Sequence, residues 1–360
     1  MSLHARYAQE LARCGFHADP AQQAAVAALE ALRERLIERH SARSRRWFAQ
    51  LRAPQMVRGL YLWGGVGRGK TFLMDLFFES LPFAARQRRH FHRFMQEVHA
   101  QLRGLPQTAA PLEELARRTA REAHMLCLDE LFVSDIADAM LVGGLLRALF
   151  RRGVTLVATS NLPPGRLYDG GLQRARFLPA IELLERNTHV LEVDAGTDYR
   201  LRDLTSAGIY FASSAPATQV HLAALFDRLA AGREAHTGTV QIEGRPIAVV
   251  RESGTAIWCD FAALCTGPRS QNDYIEIARA YQAVFLSNVP QLDADHENEA
   301  RRFIALVDEL YDHAVKLIMS AAAQPAQLYS GERLAGEFAR AASRLTEMQT
   351  RAYLAREHRP

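Results

Sequence analysis

Eight consecutive residues, Gly64-Gly65-Val66-Gly67-Arg68-Gly69-Lys70-Thr71, have the composition of a loop that holds phosphate. Glycines let a loop take positive φ and bring its backbone N–H groups close around an anion. The lysine supplies an ammonium for β- and γ-phosphates, and the threonine supplies a hydroxyl for Mg²⁺. The spacing fits G-x-x-x-x-G-K-[ST]. The chain carries 42 arginines but only two lysines, Lys70 and Lys316, so a lysine here is not background. A chance match anywhere in such a chain is on the order of one in a thousand. The sequence predicts a nucleotide-binding protein.

A second chemical group follows in His124-Met125-Leu126-Cys127-Leu128-Asp129-Glu130, four apolar residues ending in two acids. A strand that holds Asp129 rigid lets it orient Mg²⁺. Glu130 is then placed to polarise an attacking water. Asn161 closes another apolar run, and an amide there would bond the γ-phosphate or that water, since strand carboxyl ends carry sites in such sheets. The segment Gly170 to Pro179 offers Arg174 and Arg176, either of which could act as a finger on the transferring phosphoryl group. The expected cofactors are ATP and Mg²⁺, the metal held by Thr71 and Asp129. His90, His92 and His99 lack Cys or carboxylate at ligand spacing except Glu97, and do not read as a metal site.

These residues need elements to position them. Leu60 to Trp63 reads as a buried strand, and a helix starts with Phe72, Leu73 and Leu76. Arg89 to Phe94 predicts a second strand, Phe94 to Leu105 a helix, and Gln107 to Glu114 a Pro/Ala-rich connection. The acid-ended strand is followed by a helix through Ile136, Met140, Leu145 and Leu149, then by the strand Val154 to Asn161. Leu172 to Glu185 reads as a helix broken or kinked near Pro179, and His189 to Val193 as a fifth strand. This alternation predicts an α/β fold of the P-loop NTPase, AAA+-like kind over 59–196, a parallel sheet with helices on both faces.

Residues 1–58 read as an N-terminal helical segment, started by Asp19-Pro20, with a basic linker. That linker, 38–58, holds Arg39, Arg43, Arg45, Arg46, Arg52 and Arg58 around Trp47-Phe48; a solvated connection is expected, with a surface for DNA or anionic lipid as the alternative. After Gly196 the pattern changes. Short strands are expected over 197–268, including a hairpin about Glu243-Gly244-Arg245-Pro246, and helices over 270–356 (274–286, 298–320 and 332–355). No internal repeat is evident.

Bulk properties bound the classes. At 360 residues two packed units are expected. With 48% apolar and 23% charged residues the chain reads as soluble and globular. A net charge of +4 and pI near 9.0 do not mark a dedicated nucleic-acid binder. The four cysteines form no C-x-x-C pair, no apolar stretch approaches ~18 residues, and a cytoplasmic location is expected.

The sequence resembles the ZapE-type cell-division ATPases of bacteria and their mitochondrial relatives, the lactation-elevated ATPases, within the AAA+ class. The resemblance runs nearly end to end, through Tyr61 to Thr71, His90 to Met95, Asp129 to Met140, Thr159 to Asn161, Asp169 to Pro179, Asp198-Tyr199-Arg200, Gly267 to Arg269 and Arg302 to Asp312. It implies an ATPase near the division ring that lowers the stability of FtsZ polymers. It also implies Asn161 as first sensor, Arg174 as the finger, and Arg301 or Arg302 as a second sensor. The expected partner is a protein, with FtsZ the candidate and a homo-oligomer that completes the site in trans another. Peripheral membrane contact stays open and nucleic acid is not expected. A nucleic-acid-dependent ATPase resembling helicase loaders is the competing reading. A small-molecule kinase is opposed by Glu130, because a kinase must keep water from the γ-phosphate.

Overall fold

The structure is a computed structural model that describes residues 2–14, 19–45, 56–65, 68–105, 110–133, 135–193, 204, 208–213, 215–230 and 235–359. The chain divides into two compact units, Met1–Thr197 and Asp198–Pro360.

The first unit is built on five parallel strands: β1 (Gly59–Trp63), β2 (Arg86–His90), β3 (Met125–Asp129), β4 (Thr155–Ser160) and β5 (Thr188–Glu192). Their order is β2-β3-β4-β1-β5. Successive side chains leave a strand on opposite faces, so a sheet covered on both sides needs strands that are apolar throughout. Leu60, Leu62, Met125, Cys127 and Val157 pack on one face with α1 (Leu3–Cys14), α2 (Pro20–Arg45) and α3 (Lys70–Ser80). Tyr61, Leu126, Leu128, Leu156 and Ala158 pack on the other with α4 (Phe91–Gly104), α5 (Pro111–Glu122), α6 (Ile136–Arg151) and α7 (Leu178–Asn187).

Three expectations change here. The N-terminal helices are part of this core: Leu3, Tyr7, Leu29, Leu32 and Leu36 are buried against the sheet face that α3 also covers. Asp19 opens α2 by accepting from the N–H of Ala21 at 2.8 Å, with Pro20 in the first turn. Arg39 donates to the Gly153 carbonyl at 2.7 Å and Arg58 to that of Glu185 at 2.9 Å, so these two arginines are tied to core backbone. Arg46, Trp47, Phe48 and Arg52 lie outside the described residues, as do the side chains of Arg43 and Arg45.

The second strand ends at His90, and α4 begins at Phe91. Phe91, Phe94, Met95 and Val98 recur at helical spacing and pack together beneath the sheet, so the aromatic run belongs to the helix. Part of the expected connection is α5, whose Pro111 and whose acids Glu113 and Glu114 sit in its first turn, where both favour a helix. The expected break near Pro179 falls between the 3-10 turn Arg174–Arg176 and α7, with Pro179 in the first turn of α7.

The second unit holds β6 (Tyr210–Phe211), β7 (His236–Ile242), β8 (Arg245–Ser253), β9 (Ala256–Asp260), β10 (Ala283–Val289) and β11 (Lys316–Ala321), in the order β6-β11-β10-β9-β8-β7. The first four in that order run parallel, and β7 and β8 add an antiparallel edge. Glu243 and Gly244, at φ 47° and 70°, make the two-residue turn between β7 and β8. The expected run of helices is corrected: helices Gln271–Ala280 and Glu297–Asp312 stop short, and β10 and β11 follow them. A short apolar run buried on both sides has no period that separates strand from helix. The region is a second α/β layer, closed by the helix Ala335–Met348. Asp198, Tyr199 and Arg200 lie outside the described residues. Among the described residues no helix is long and apolar enough to cross a membrane.

Candidate nucleotide site

The loop after β1 closes tightly at both ends. Gly64 has φ 147°, and a Cβ there would sit 2.4 Å from the Val193 carbonyl oxygen just past β5. Gly69 has φ 83°, and its Cβ would meet the Gln22 amide at 2.8 Å. Gln22 also donates to the Arg68 carbonyl at 3.0 Å and accepts from the Tyr7 hydroxyl at 2.9 Å. Helices α1 and α2 thus hold the loop from behind. Val66 and Gly67 lie outside the described residues.

Lys70 begins α3, and its ammonium donates to the carbonyls of Gly64 and Gly65, each at 2.7 Å, and to Asn161 Oδ1 at 3.1 Å. The sheet order accounts for the last contact: β4 lies between β1 and β3, so the residue that ends it stands between the loop and the acid pair. The turn at Asn161 is fixed on both sides. Tyr61 donates to the Leu162 carbonyl at 2.9 Å and Ser160 to that of Leu131 at 2.7 Å.

Thr71 donates its hydroxyl to Asp129 Oδ1 at 3.1 Å, and Thr159 donates to the same oxygen. Arg88, on β2, reaches Asp129 Oδ2 at 2.8 Å and pairs with Asp75 on α3. A buried carboxylate next to a hydroxyl is a hard-oxygen pair that suits Mg²⁺. With the glycine-lined loop beside it, the donor set fits a metal-bound triphosphate. Glu130 is in the left-handed region at φ 55°, a conformation fixed by its N–H donating to Thr159 Oγ1 at 2.9 Å. Its side chain faces His90 Nε2 at 3.0 Å. Burial pulls the His90 imidazole down, but the Glu130 carboxylate outweighs it and holds the group above its ordinary value.

The arginines fall elsewhere. Arg174 lies in a short 3-10 turn, Arg174–Arg176, donates to the Gly165 carbonyl at 2.6 Å and lies 3.6 Å from Asp169, while Arg176 is exposed. Neither contact of Arg174 runs to Lys70, Asp129 or Glu130. In the second unit Arg302 donates to the Cys265 carbonyl at 3.0 Å, and Arg301 is exposed.

The model of the AFG1-like ATPase family matches residues 1–357. The chain belongs to the AFG1-like ATPase family. It is 52% identical over 302 residues to the cell division protein ZapE of Escherichia coli (strain K12), across 84% of this chain and 80% of that protein. It is 38% identical over 309 residues to lactation elevated protein 1 homolog B of Danio rerio, across 82% and 61% of the two chains. Among solved structures it is similar to DnaI at 19% identity, over 49% of this chain and 87% of that one, with a TM-score of 0.34. The α/β P-loop fold of this AFG1-like ATPase stands on its own sheet order and loop.

In this AFG1-like ATPase several site groups carry no local mark in the sequence. Arg88, Asp75 and Gln22 belong to no motif, Thr159 lies in the stretch Thr159 to Asn161 without a role read from it, and His90 meets Glu130 only because β2 pairs with β3, with His90 opposite Asp129. The one available signal was the run of arginine and histidine in a short strand, polar where a central strand would be apolar.

Proposed function

We propose that this AFG1-like ATPase hydrolyses Mg-ATP in its first unit and uses the cycle to remodel a protein partner in cell division, with FtsZ polymers the partner whose stability it lowers. The observation that carries the nucleotide chemistry is a convergence. Lys70 meets Asn161 at 3.1 Å and Thr71 meets Asp129 at 3.1 Å, at the carboxyl ends of adjacent strands. The 52% identity to a cell division protein supports the choice of process.

In this reading Lys70 binds the β- and γ-phosphates, and Thr71 and Asp129 hold the metal. Mg²⁺, when bound, neutralises charge on the phosphate oxygens. Glu130 orients and polarises the attacking water once His90 shares or releases its carboxylate. Asn161 bonds the γ-phosphate or that water from the end of β4. Arg174 acts as the finger on a neighbouring subunit, stabilising charge as the phosphoryl group transfers.

The test measures ATPase rate with and without FtsZ polymers, and polymer mass by sedimentation with ATP or ADP. Turnover should rise with polymer, and polymer should be lost only with ATP. Stimulation by DNA or RNA, with FtsZ polymers unaffected, would favour a nucleic-acid-dependent ATPase instead.

A further inference from the structure

The second unit repeats the first. Strands β6, β9, β10 and β11 stand in the same order and direction as β1, β2, β3 and β4, with each β11–β10–β9 neighbour matching a β4–β3–β2 neighbour. The registers agree residue by residue. Tyr61 lies opposite Ala158 and Tyr210 opposite Met319; His90 lies opposite Asp129 and Asp260 opposite Ser287; Met125 lies opposite Thr155 and Ala283 opposite Lys316. The connections agree as well. Helix α6 and helix Glu297–Asp312 are each 16 residues long and lead into β4 and β11 through the same turn. In that turn Val154 bonds the Leu149 carbonyl at 3.1 Å, and Val315 the Leu310 carbonyl at 2.9 Å.

Individual side-chain contacts recur too. Tyr61 donates to the Leu162 carbonyl at 2.9 Å, and Tyr210 to the Ala323 carbonyl at 2.7 Å. After β4 and β11 comes the same 3-10 turn opened by a proline, then the aromatic pairs Tyr168–Phe177 and Tyr329–Phe338. Glu130 and Asn288 share a left-handed φ, 55° and 61°, and each is held by a hydroxyl, Thr159 and Ser320, at 2.9 and 3.0 Å. Agreement of order, register, turns and unusual backbone at once is not a property of parallel sheets in general.

What differs is the chemistry. Where Arg88 bonds Asp129 at 2.8 Å, Trp258 bonds Ser287 at 3.2 Å. Where His90 faces Glu130, Asn288 donates to Asp260 at 2.6 Å. Carrying the match of β1 with β6 forward puts Gln219 at the place of Lys70, Val220 at that of Thr71 and Ser213 at that of Gly64. The buried Leu222, Leu225 and Phe226 then fall on Leu73, Leu76 and Phe77, which supports this register. The helix here begins at Pro216, ahead of Gln219, whereas α3 begins at Lys70 itself. Gln219 Nε2 donates to Asn288 Oδ1 at 3.1 Å and ties the first turn of its helix to the strand end. The ammonium, the metal carboxylate, the water-directed carboxylate and the glycine cradle are all replaced.

We infer that the second unit is a second copy of the ATPase fold emptied of its phosphate site, and that the chain therefore binds one nucleotide, in its first unit alone. The inference rests on the reading of the first unit as the nucleotide site. Two side-chain amides tied to the Asp260 carboxylate stand where a triphosphate would need cations and open N–H groups, so this unit takes no part in hydrolysis.

The test is the stoichiometry of Mg-ADP binding to the full chain by equilibrium dialysis. Wild type should bind one ADP per chain, and Lys70→Ala should bind at least 100-fold more weakly. Val220→Glu adds a carboxylate at a position 70% exposed, which the fold tolerates, and should bind one ADP within twofold of wild-type affinity. Two ADP per wild-type chain would overturn the inference. So would a site kept by Lys70→Ala and lost when Val220→Glu is added. A site kept by both variants together would count against the role of Lys70 while leaving the second unit empty.

Discussion

Arg88 holds Asp129 from the neighbouring strand, Nη2 to Oδ2 at 2.8 Å, and turns its other nitrogen to Asp75. One guanidinium thus joins β2, β3 and α3 at the carboxylate proposed to hold the metal. Arg88→Ala leaves two carboxylates without their shared cation, one of them only 5% exposed. Removing one partner of a buried pair costs about 3 kcal/mol or more. The variant should melt at least ~6 °C lower, and its turnover should fall. A melting temperature within 2 °C of wild type, with unchanged turnover, would mean the bridge holds nothing.

Lys70→Ala removes the ammonium that three loop and strand oxygens now hold. Nucleotide binding or turnover should be lost while the circular-dichroism spectrum stays the same. The lost charge should cost several kcal/mol in the transition state, a rate loss of about 10²–10³ or more. Turnover within about threefold of wild type would refute the phosphate-loop reading.

Glu130→Gln keeps the shape of the side chain and a hydrogen-bond acceptor for His90, and removes the carboxylate. It should bind Mg-ATP with near wild-type affinity and hydrolyse it about 10²–10⁴-fold more slowly. Such a variant should hold its protein partner in a pull-down with ATP. Loss of ATP affinity to the degree seen in Lys70→Ala would make Glu130 a structural residue.

Arg174→Ala should retain ATP binding and lose turnover, by roughly 10³-fold if the arginine serves as a finger. Supply from a neighbour requires a head-to-tail assembly, because a two-fold interface brings like patches together. Mixing inactive Lys70→Ala with inactive Arg174→Ala should then restore activity, the first lending a finger and the second a site. Specific activity should also rise with protein concentration at saturating ATP. No recovery on mixing, and a rate independent of concentration, would leave an ATPase that works as a monomer.

Burial pushes the Cys127 and Cys259 thiols up to about 12. Below about pH 9 folded and unfolded chains both keep these protons, and stability does not depend on them. Above it the unfolded chain releases them and the folded chain does not, so stability falls as pH rises toward 12, by about 1.4 kcal/mol per pH unit for each thiol. The urea midpoint should drop between pH 9 and 10.5, and by less in a Cys127→Ala, Cys259→Ala double variant. In the native state at pH 8 neither thiol should react with a thiol reagent within an hour. Equal midpoint losses in both proteins would assign the effect to other groups.

The sequence by itself determined the segments that are local along the chain. Gly64 to Thr71 must be contiguous because one loop wraps one phosphate, and Asp129-Glu130 must end an apolar strand to be held rigid. The parallel fold followed from the same cause, since strands covered on both faces read as uninterrupted apolar runs. Ala283 to Val289 and Lys316 to Ala321 were harder to read. They are as apolar as β3 and β4 but adjoin helices of similar composition, and no period separates the two over so few residues. Only the tertiary structure decided which distant groups meet. Arg88 finds Asp129, His90 finds Glu130 and Gln22 finds the phosphate loop because strand order and helix packing bring them together. The repeat of the first unit in the second was hidden for a related reason. Packing conserves size, burial and hydrogen-bond slots rather than residue identity, so Arg88–Asp129 can become Trp258–Ser287 in the same place. The added hairpin β7–β8 shifts the spacing between matched segments, which removes any constant period from the sequence and leaves the repeat visible only in the structure.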